Sequence, residues 1–165
     1  MIISDSSTLI LLTKSDLIEK FLSNLTLTIP ETVYDETVRK GIENGKLDAY
    51  LIEKIVRDGK IQVKQSKTDS LKKIQGFFNI HCGESDAIAL CMDYNAEYLL
   101  CDDKKAINTC RVLGIRFVTA IDILLAMSIK GTISNDEANT ALDHLDEFGW
   151  YNIELIRKIR GEIND

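Results

Sequence analysis

Two adjacent carboxylates, Asp102 and Asp103, follow the short apolar run 98–101 and directly precede a helical pattern. Asp5 follows the apolar run 1–4 in the same way, again just before a helical segment. Acids that end a parallel strand lie at the carboxyl edge of the sheet, where open α/β folds bind their ligands. We therefore expect Asp5 and the pair Asp102/Asp103 to lie together at one edge of a sheet.

Further acids stand on segments with helical spacing. Glu36 lies in the helical segment that follows Pro30, and Glu84 and Asp86 open another helix. If these helices face the same edge, the crowded carboxylates repel one another and a divalent cation relieves the repulsion. Oxygen ligands without histidine or thiolate favour Mg²⁺ or Mn²⁺. Such ions activate water for attack on a phosphodiester, so the pattern predicts metal-dependent hydrolysis of a phosphodiester.

Each acid, taken alone, also has an ordinary structural explanation. Asp5 is suited to cap the next helix, and Glu36 to form an exposed i, i+4 pair with Lys40. Acids in a first helical turn, such as Glu84 and Asp86, are favoured by the helix dipole. The argument for a site therefore rests on their shared edge.

Short apolar or β-branched runs alternate with helical segments along the chain, which predicts βαβ units and a parallel sheet covered on both faces. The fold class is therefore α/β. If β1 is central in the sheet, Asp5 and the pair Asp102/Asp103 emerge at the same edge. The predicted strands are 1–4, 25–29, 61–63, 98–101 and 116–119. The last third is predicted to be helical, over 121–130, 135–148 and 152–163, with Trp150 and Tyr151 anchoring the tail in the core.

The composition fits one globular domain of 165 residues, with 45% hydrophobic and 28% charged residues. We expect a core over about 1–130 and a helical extension over about 131–165. No apolar run is long enough to span a membrane, so we expect a cytoplasmic protein. The net charge of −6 argues against extensive non-specific binding to nucleic acid, which depends on neutralisation of phosphates by Lys and Arg. The four cysteines form no close pair and are expected to be buried thiols: Cys82, Cys91, Cys101 and Cys110.

The sequence resembles the PIN domain nucleases, in particular single-domain prokaryotic PIN proteins related to the toxin ribonucleases of toxin-antitoxin systems. The resemblance covers nearly the whole chain. It rests on the segments MIISDSSTLILL, IPETVYDE, GESDAIALC, YLLCDDKKA, GIRFVTAIDILL and GWYNIELIRKI. It implies a three-layer α/β/α fold with a central parallel sheet of about five strands and extra C-terminal helices, and a ribonuclease that requires Mg²⁺ or Mn²⁺.

The resemblance also implies which side chains act. The four acids that match the family pattern are Asp5, Glu36, Asp86 and Asp103. Cys101 stands where the family commonly has threonine, so Asp102 is an alternative to Asp103, and Glu84 is a supporting ligand. Ser6 and Ser7 would hold Asp5 or its bound water through hydrogen bonds. Four cationic side chains would bind the flanking phosphates, or else simply lie on exposed helix surface: Lys104, Lys105, Arg39 and Lys40.

The partners implied by the resemblance are an RNA substrate, an antitoxin protein and a second copy of the chain in a homodimer; no membrane is implied. Two phosphotransfer classes fit less well, since a dehalogenase-like site requires an acid where Ser7 stands and a receiver-like site requires its acidic pair after the first strand. A further alternative is a PIN-like binding module with weak or no catalysis that acts through a protein or RNA partner.

Overall fold

The computed structural model describes residues 1–165 and contains a five-stranded, wholly parallel sheet with the order β3-β2-β1-β4-β5. Its strands are β1 (Ile2–Ser4), β2 (Leu27–Pro30), β3 (Ile61–Lys64), β4 (Tyr98–Leu100) and β5 (Phe117–Val118). In register, Ile3 of β1 lies beside Thr28 and Leu99 of its two neighbours. Because every strand runs the same way and β1 is central, the acids that follow β1 and β4 emerge at one edge, as predicted.

Eleven α-helices connect and cover the strands. They are α1 (Ser6–Lys14), α2 (Ile18–Phe21), α3 (Glu31–Tyr34), α4 (Lys40–Glu43), α5 (Leu47–Arg57), α6 (Thr68–Phe77), α7 (Cys82–Tyr94), α8 (Lys104–Leu113), α9 (Ala120–Ile129), α10 (Asn135–Phe148) and α11 (Ile153–Asn164). One face of the sheet packs against α1, α5 and α9 to α11, and the other against α6 to α8. The three-layer α/β/α class is therefore confirmed.

Helices α10 and α11 take part in the main hydrophobic core rather than standing apart from it. Leu142 and Leu145 of α10 and Ile156 and Ile159 of α11 are buried in the same cluster as Leu9 of α1. The three-residue spacing of these apolar residues turns one face of each helix inward, which is what an amphipathic helix requires. The C-terminal third therefore stabilises the layer that carries α1.

The aromatic pair after α10 behaves differently from the prediction that both residues anchor the tail. Tyr151 is largely covered and its hydroxyl donates to Asp102, whereas the side chain of Trp150 is 92% exposed. Gly149 has room only for a hydrogen, because a Cβ there would lie 2.7 Å from the Tyr151 ring. Of these two residues only Tyr151 anchors the tail, and the prediction for Trp150 was wrong.

A π-helical turn, Asp35–Arg39, interrupts the helical segment that follows β2 and separates α3 from α4. The sequence predicts continuous helix here, since hydrophobic spacing does not distinguish a π-turn from an α-turn. Such turns are frequent at functional sites. In this chain the turn carries Glu36.

The cysteine prediction holds for three of the four residues. Cys91, Cys101 and Cys110 are buried free thiols, whereas Cys82 is exposed. Cys82 is the first residue of α7, at the point where the connection from α6 crosses the surface. No helix of the structure is long and apolar enough to cross a membrane.

Candidate active site

Asp5 is the most deeply placed acid at the carboxyl edge of the sheet, with no part of it exposed. It caps α1, and its Oδ1 accepts hydrogen bonds from the backbone N–H of Thr8 at 3.0 Å and from the Ser7 hydroxyl at 2.8 Å. Burial raises its pKa from 3.8 to about 7; these two donors oppose the rise and the nearby Asp102 carboxylate adds to it. Asp5 has no cationic side chain as an ion-pair partner, so its charge is left uncompensated by the protein.

Glu36 is brought to the same place by the π-helical turn. The hydroxyl of Ser6, the residue after Asp5, donates to Glu36 Oε2. On its other side the carboxylate rests on Gly83 at the start of α7, where a Cβ would lie only 2.6 Å from Oε2. The absence of a side chain at position 83 is therefore what lets α7 approach the Glu36 carboxylate.

Glu84 begins α7 together with Gly83 and faces the other acids. Its Oε2 accepts the backbone N–H of His81 at 2.7 Å, which completes a capping box at the helix start. Burial raises its pKa, and the negative charges of Asp103 and Glu36 raise it further. These charge effects place Glu84 within electrostatic reach of both carboxylates.

Asp103 caps α8, the helix that follows β4. Its Oδ1 accepts the backbone N–H groups of Lys105 at 2.8 Å and Ala106 at 2.9 Å. Its Oδ2 accepts no hydrogen bond from the protein. In the same way Oε1 of Glu36 and Oε1 of Glu84 are without a donor, so three carboxylates each keep one oxygen free.

Asp86 and Asp102, by contrast, have both carboxylate oxygens engaged. Asp86 is 5% exposed, and its oxygens accept from the hydroxyls of Ser66 and Thr32, the latter at 2.8 Å. It therefore ties α7 to the segments that follow β2 and β3. Thr32 and Ser66 are contacts that no sequence pattern indicated.

Asp102 accepts three hydrogen bonds. Its Oδ2 receives the Thr8 hydroxyl at 2.6 Å and the backbone N–H of Ala120 at 3.0 Å, and its Oδ1 receives the Tyr151 hydroxyl. Burial raises the pKa of Asp102, and these donors lower it. The side chain links α1, α9 and the segment before α11, a role that the strand-and-acid pattern could not separate from that of Asp103.

Of the four cationic side chains expected near the site, one is ion-paired and three are not. Arg39 forms ion pairs with Asp35 and, at 2.9 Å, with Glu31, so its charge is taken up within its own helical segment. Lys40, Lys104 and Lys105 are exposed and form no ion pair in the structure. Of these three, only Lys104 and Lys105 line the cleft beside the acids.

That cleft, of about 880 Å³, opens along the carboxyl edge of the sheet. Its wall carries four acids, Glu84, Asp102, Asp103 and Asp122, together with apolar side chains from α1, α9, α11 and the 148–152 segment. Ser7 lies in the wall as well, next in sequence but one to the buried Asp5.

The donor set fits a hard divalent cation. It consists of carboxylate oxygens alone, three of them unengaged, around a buried carboxylate that lacks a counter-charge, and such ligands suit Mg²⁺ or Mn²⁺. As the side chains stand, no three His, Cys, Asp or Glu residues converge to ligand distance. Binding an ion would therefore draw flexible side chains such as those of Glu36 and Glu84 inward.

A parallel sheet between two helical layers, with acids grouped at its carboxyl edge, defines a class of α/β proteins. Comparison with protein families then identifies the family. The family model DUF3368, described as a PIN domain, matches residues 1–164. The chain therefore belongs to the PIN-domain family, a family of nuclease-type hydrolases that generally use divalent metal ions. No curated protein matches the chain.

Proposed function

We propose that the protein is an endoribonuclease that hydrolyses RNA phosphodiester bonds with Mg²⁺ or Mn²⁺. The observation that carries the proposal is the set of unengaged carboxylate oxygens on Glu36, Glu84 and Asp103 around the buried, uncompensated Asp5. Carboxylates crowded in this way favour a cation. Membership of a nuclease family agrees with this reading.

The proposed ligands are Asp5, Glu36, Glu84 and Asp103. This set keeps three of the four acids predicted from the sequence and replaces Asp86 by Glu84. The reason is hydrogen bonding: the two oxygens of Asp86 accept from separate hydroxyls, those of Thr32 and Ser66, whereas Oδ2 of Asp5 accepts only from the Ser7 hydroxyl that it shares with Oδ1. For the same reason we assign Asp102 a structural role.

The protein's own contribution would be to hold and orient these groups. When bound, the ion supplies an activated water and neutralises charge on the phosphate. Ser7 and the Thr8 backbone hold Asp5, and Ser6 holds Glu36, so that neither carboxylate reorients freely. Outer hydrogen bonds of this kind typically tune metal affinity. Lys104 and Lys105 would bind the phosphates on either side of the cleaved bond.

The wider biological role is proposed from the sequence resemblance. We propose a cytoplasmic toxin ribonuclease, acting as a homodimer and paired with an antitoxin protein. The support is the likeness of the segments MIISDSSTLILL, IPETVYDE, GESDAIALC and YLLCDDKKA to those of single-domain prokaryotic PIN proteins. Co-purification of the chain with the product of a neighbouring gene, and loss of toxicity on co-expression, test the pairing.

The experiment that tests the enzymatic proposal is cleavage of fluorescent single-stranded RNAs with Mn²⁺, Mg²⁺ or EDTA. Asp103→Asn is expected to remove cleavage, because it removes a proposed ligand and keeps the side-chain shape. Asp122→Asn is the matched control, since Asp122 lines the same cleft but its carboxylate binds Thr119. Metal-independent cleavage, or equal loss in both variants, would reject the proposal.

The alternative function is a PIN-like binding module with weak or no catalysis, acting through a protein or RNA partner. It is favoured by one observation, that no three acids converge to ligand distance in the structure. A thermal titration separates the two functions, because an ion that binds only the folded protein raises Tm. A Tm that Mn²⁺ leaves unchanged would support the binding module.

A further inference from the structure

Trp150 is the only tryptophan of the chain, and its side chain is 92% exposed in the segment between α10 and α11. A large apolar ring left this open loses the stabilisation that burial normally provides. The ring lines the same cleft as Glu84 and Asp103. Neither the fold nor the proposed ligand set assigns it any role.

The backbone that carries Trp150 is held firmly on both sides. Tyr151 is fixed through its hydroxyl to Asp102, which in turn is bound to α1 and α9. Before it, the close approach of Gly149 to the Tyr151 ring and to the Leu145 carbonyl leaves no room for a side chain. The indole is therefore presented to the cleft by a rigid support.

Lys104 and Lys105 lie along the same cleft and are exposed and unpaired. Cationic side chains that follow a phosphate backbone, combined with an aromatic ring on which a base stacks, are the features by which proteins bind single-stranded nucleic acid. We infer that Trp150 is a stacking platform for an unpaired base of the RNA strand whose phosphodiester lies at the acids. This inference rests on the proposed function and adds to it a side chain that holds a base of the substrate.

Stacking on Trp150 requires an unpaired base in the ligand, whereas the lysine contacts require only its phosphates. A base must be free to leave its neighbours, so a duplex is bound more weakly than a single strand of the same length. An abasic strand with an intact phosphate backbone keeps the lysine contacts and loses the stacking. These two strands separate the Trp150 contact from the charge attraction.

The single tryptophan gives a direct spectroscopic test. The intact protein in EDTA, which prevents cleavage, is titrated with single-stranded RNA, duplex RNA or the abasic strand while indole emission is recorded. We expect quenching by single-stranded RNA, little by the duplex and none by the abasic strand. Equal quenching by the abasic strand would overturn the inference.

The matched variants are Trp150→Ala, Trp150→Phe and Phe77→Ala. Phe77 is also exposed, at 83%, but lies on α6 on the other face of the sheet and does not line the cleft. Trp150→Ala should weaken binding of labelled single-stranded RNA by roughly 5- to 150-fold, the range for loss of one base–aromatic stack. Trp150→Phe should recover part of this, and Phe77→Ala should bind as the wild type does.

Kinetics show where the contact acts. Because Trp150 does not touch the reacting atoms, Trp150→Ala should raise KM and leave kcat at saturating RNA unchanged. Unchanged RNA affinity in Trp150→Ala would overturn the inference and favour an apolar protein segment as the ligand that contacts Trp150. If the wild type binds none of the strands, either in EDTA or with Mn²⁺ added, the RNA substrate itself is rejected; binding without quenching rejects only the stacking.

Discussion

Gly83→Ala is the substitution that should impair the proposed metal site without destabilising the fold. A Cβ at position 83 would lie 2.6 Å from Glu36 Oε2, and ordinary contact begins at 3.4 Å, so the carboxylate must retreat by about 0.8 Å. The obstructing atom is the end of a flexible side chain, and the backbone of α7 need not move. The helix itself gains, since alanine is favoured over glycine in a helix by about 0.5–1 kcal/mol.

The expected result is a protein that is at least as stable as the wild type but a poorer enzyme. Displacement of a ligand or its support by this distance typically costs roughly 10- to 100-fold in metal affinity or activity. Mn²⁺ binding by calorimetry and kcat/KM for RNA cleavage measure the loss, and Tm in EDTA measures the stability. The Mn²⁺ Kd should rise while Tm stays the same or rises.

Gly161→Ala is the matched control, because Gly161 lies in α11 and a Cβ there meets nothing within 4 Å. It should give a similar small gain in stability with an unchanged Mn²⁺ Kd. If Gly83→Ala binds Mn²⁺ and cleaves RNA as well as Gly161→Ala does, Glu36 is not a ligand in the position described here.

Two further predictions concern Asp5 and Tyr151. The folded-state pKa of Asp5, about 7, lies above its ordinary value of 3.8, so its contribution to stability is present below pH 3.8 and is lost as pH rises through 7. Metal binding needs the ionised form, so the Mn²⁺-induced rise in Tm should grow from pH 6 to pH 8 and vanish in Asp5→Asn; an equal rise at both pH values would contradict this. Tyr151→Phe removes a donor to the partly buried carboxyl of Asp102 and should cost about 1–3 kcal/mol, roughly 2–12 °C in Tm. Because the link is structural, Mn²⁺ should still raise the Tm of Tyr151→Phe, which thermal scans with and without the ion will show.

The parallel sheet of about five strands could be predicted because the signals are local. Strands such as β1 and β4 are short apolar runs that end in an acid, and their alternation with helices allows little besides a parallel sheet. For the same reason the edge that gathers Asp5 and Asp103 follows from the topology. Family membership, suggested by the motifs, is confirmed over residues 1–164.

What the sequence could not show is the direction in which each acid points. Asp86 and Glu84 are two residues apart on α7, and only hydrogen bonds from Thr32 and Ser66, distant in the chain, distinguish them. Likewise Asp102 and Asp103 are separated in role by Tyr151, 49 residues beyond Asp102. Long-range side-chain contacts of this kind leave no periodic signal in a single sequence.

The exposed Trp150 was also beyond prediction, because tryptophan is highly buried on average. Its exposure follows from the contact that its neighbour makes. Tyr151 carries a hydroxyl that donates to Asp102, so Tyr151 turns inward and Trp150 outward.

The most direct test of the account is a Mn²⁺ titration of Glu84→Gln and Asp86→Asn beside the wild type, by calorimetry at pH 8. We expect Mn²⁺ to bind the wild type and Asp86→Asn with similar affinity, even though Asp86→Asn lowers Tm by disturbing the contacts of Thr32 and Ser66. Glu84→Gln should keep its Tm and lose most of the affinity. Loss of Mn²⁺ binding in Asp86→Asn alone, or no binding by the wild type, would contradict the proposed metal site.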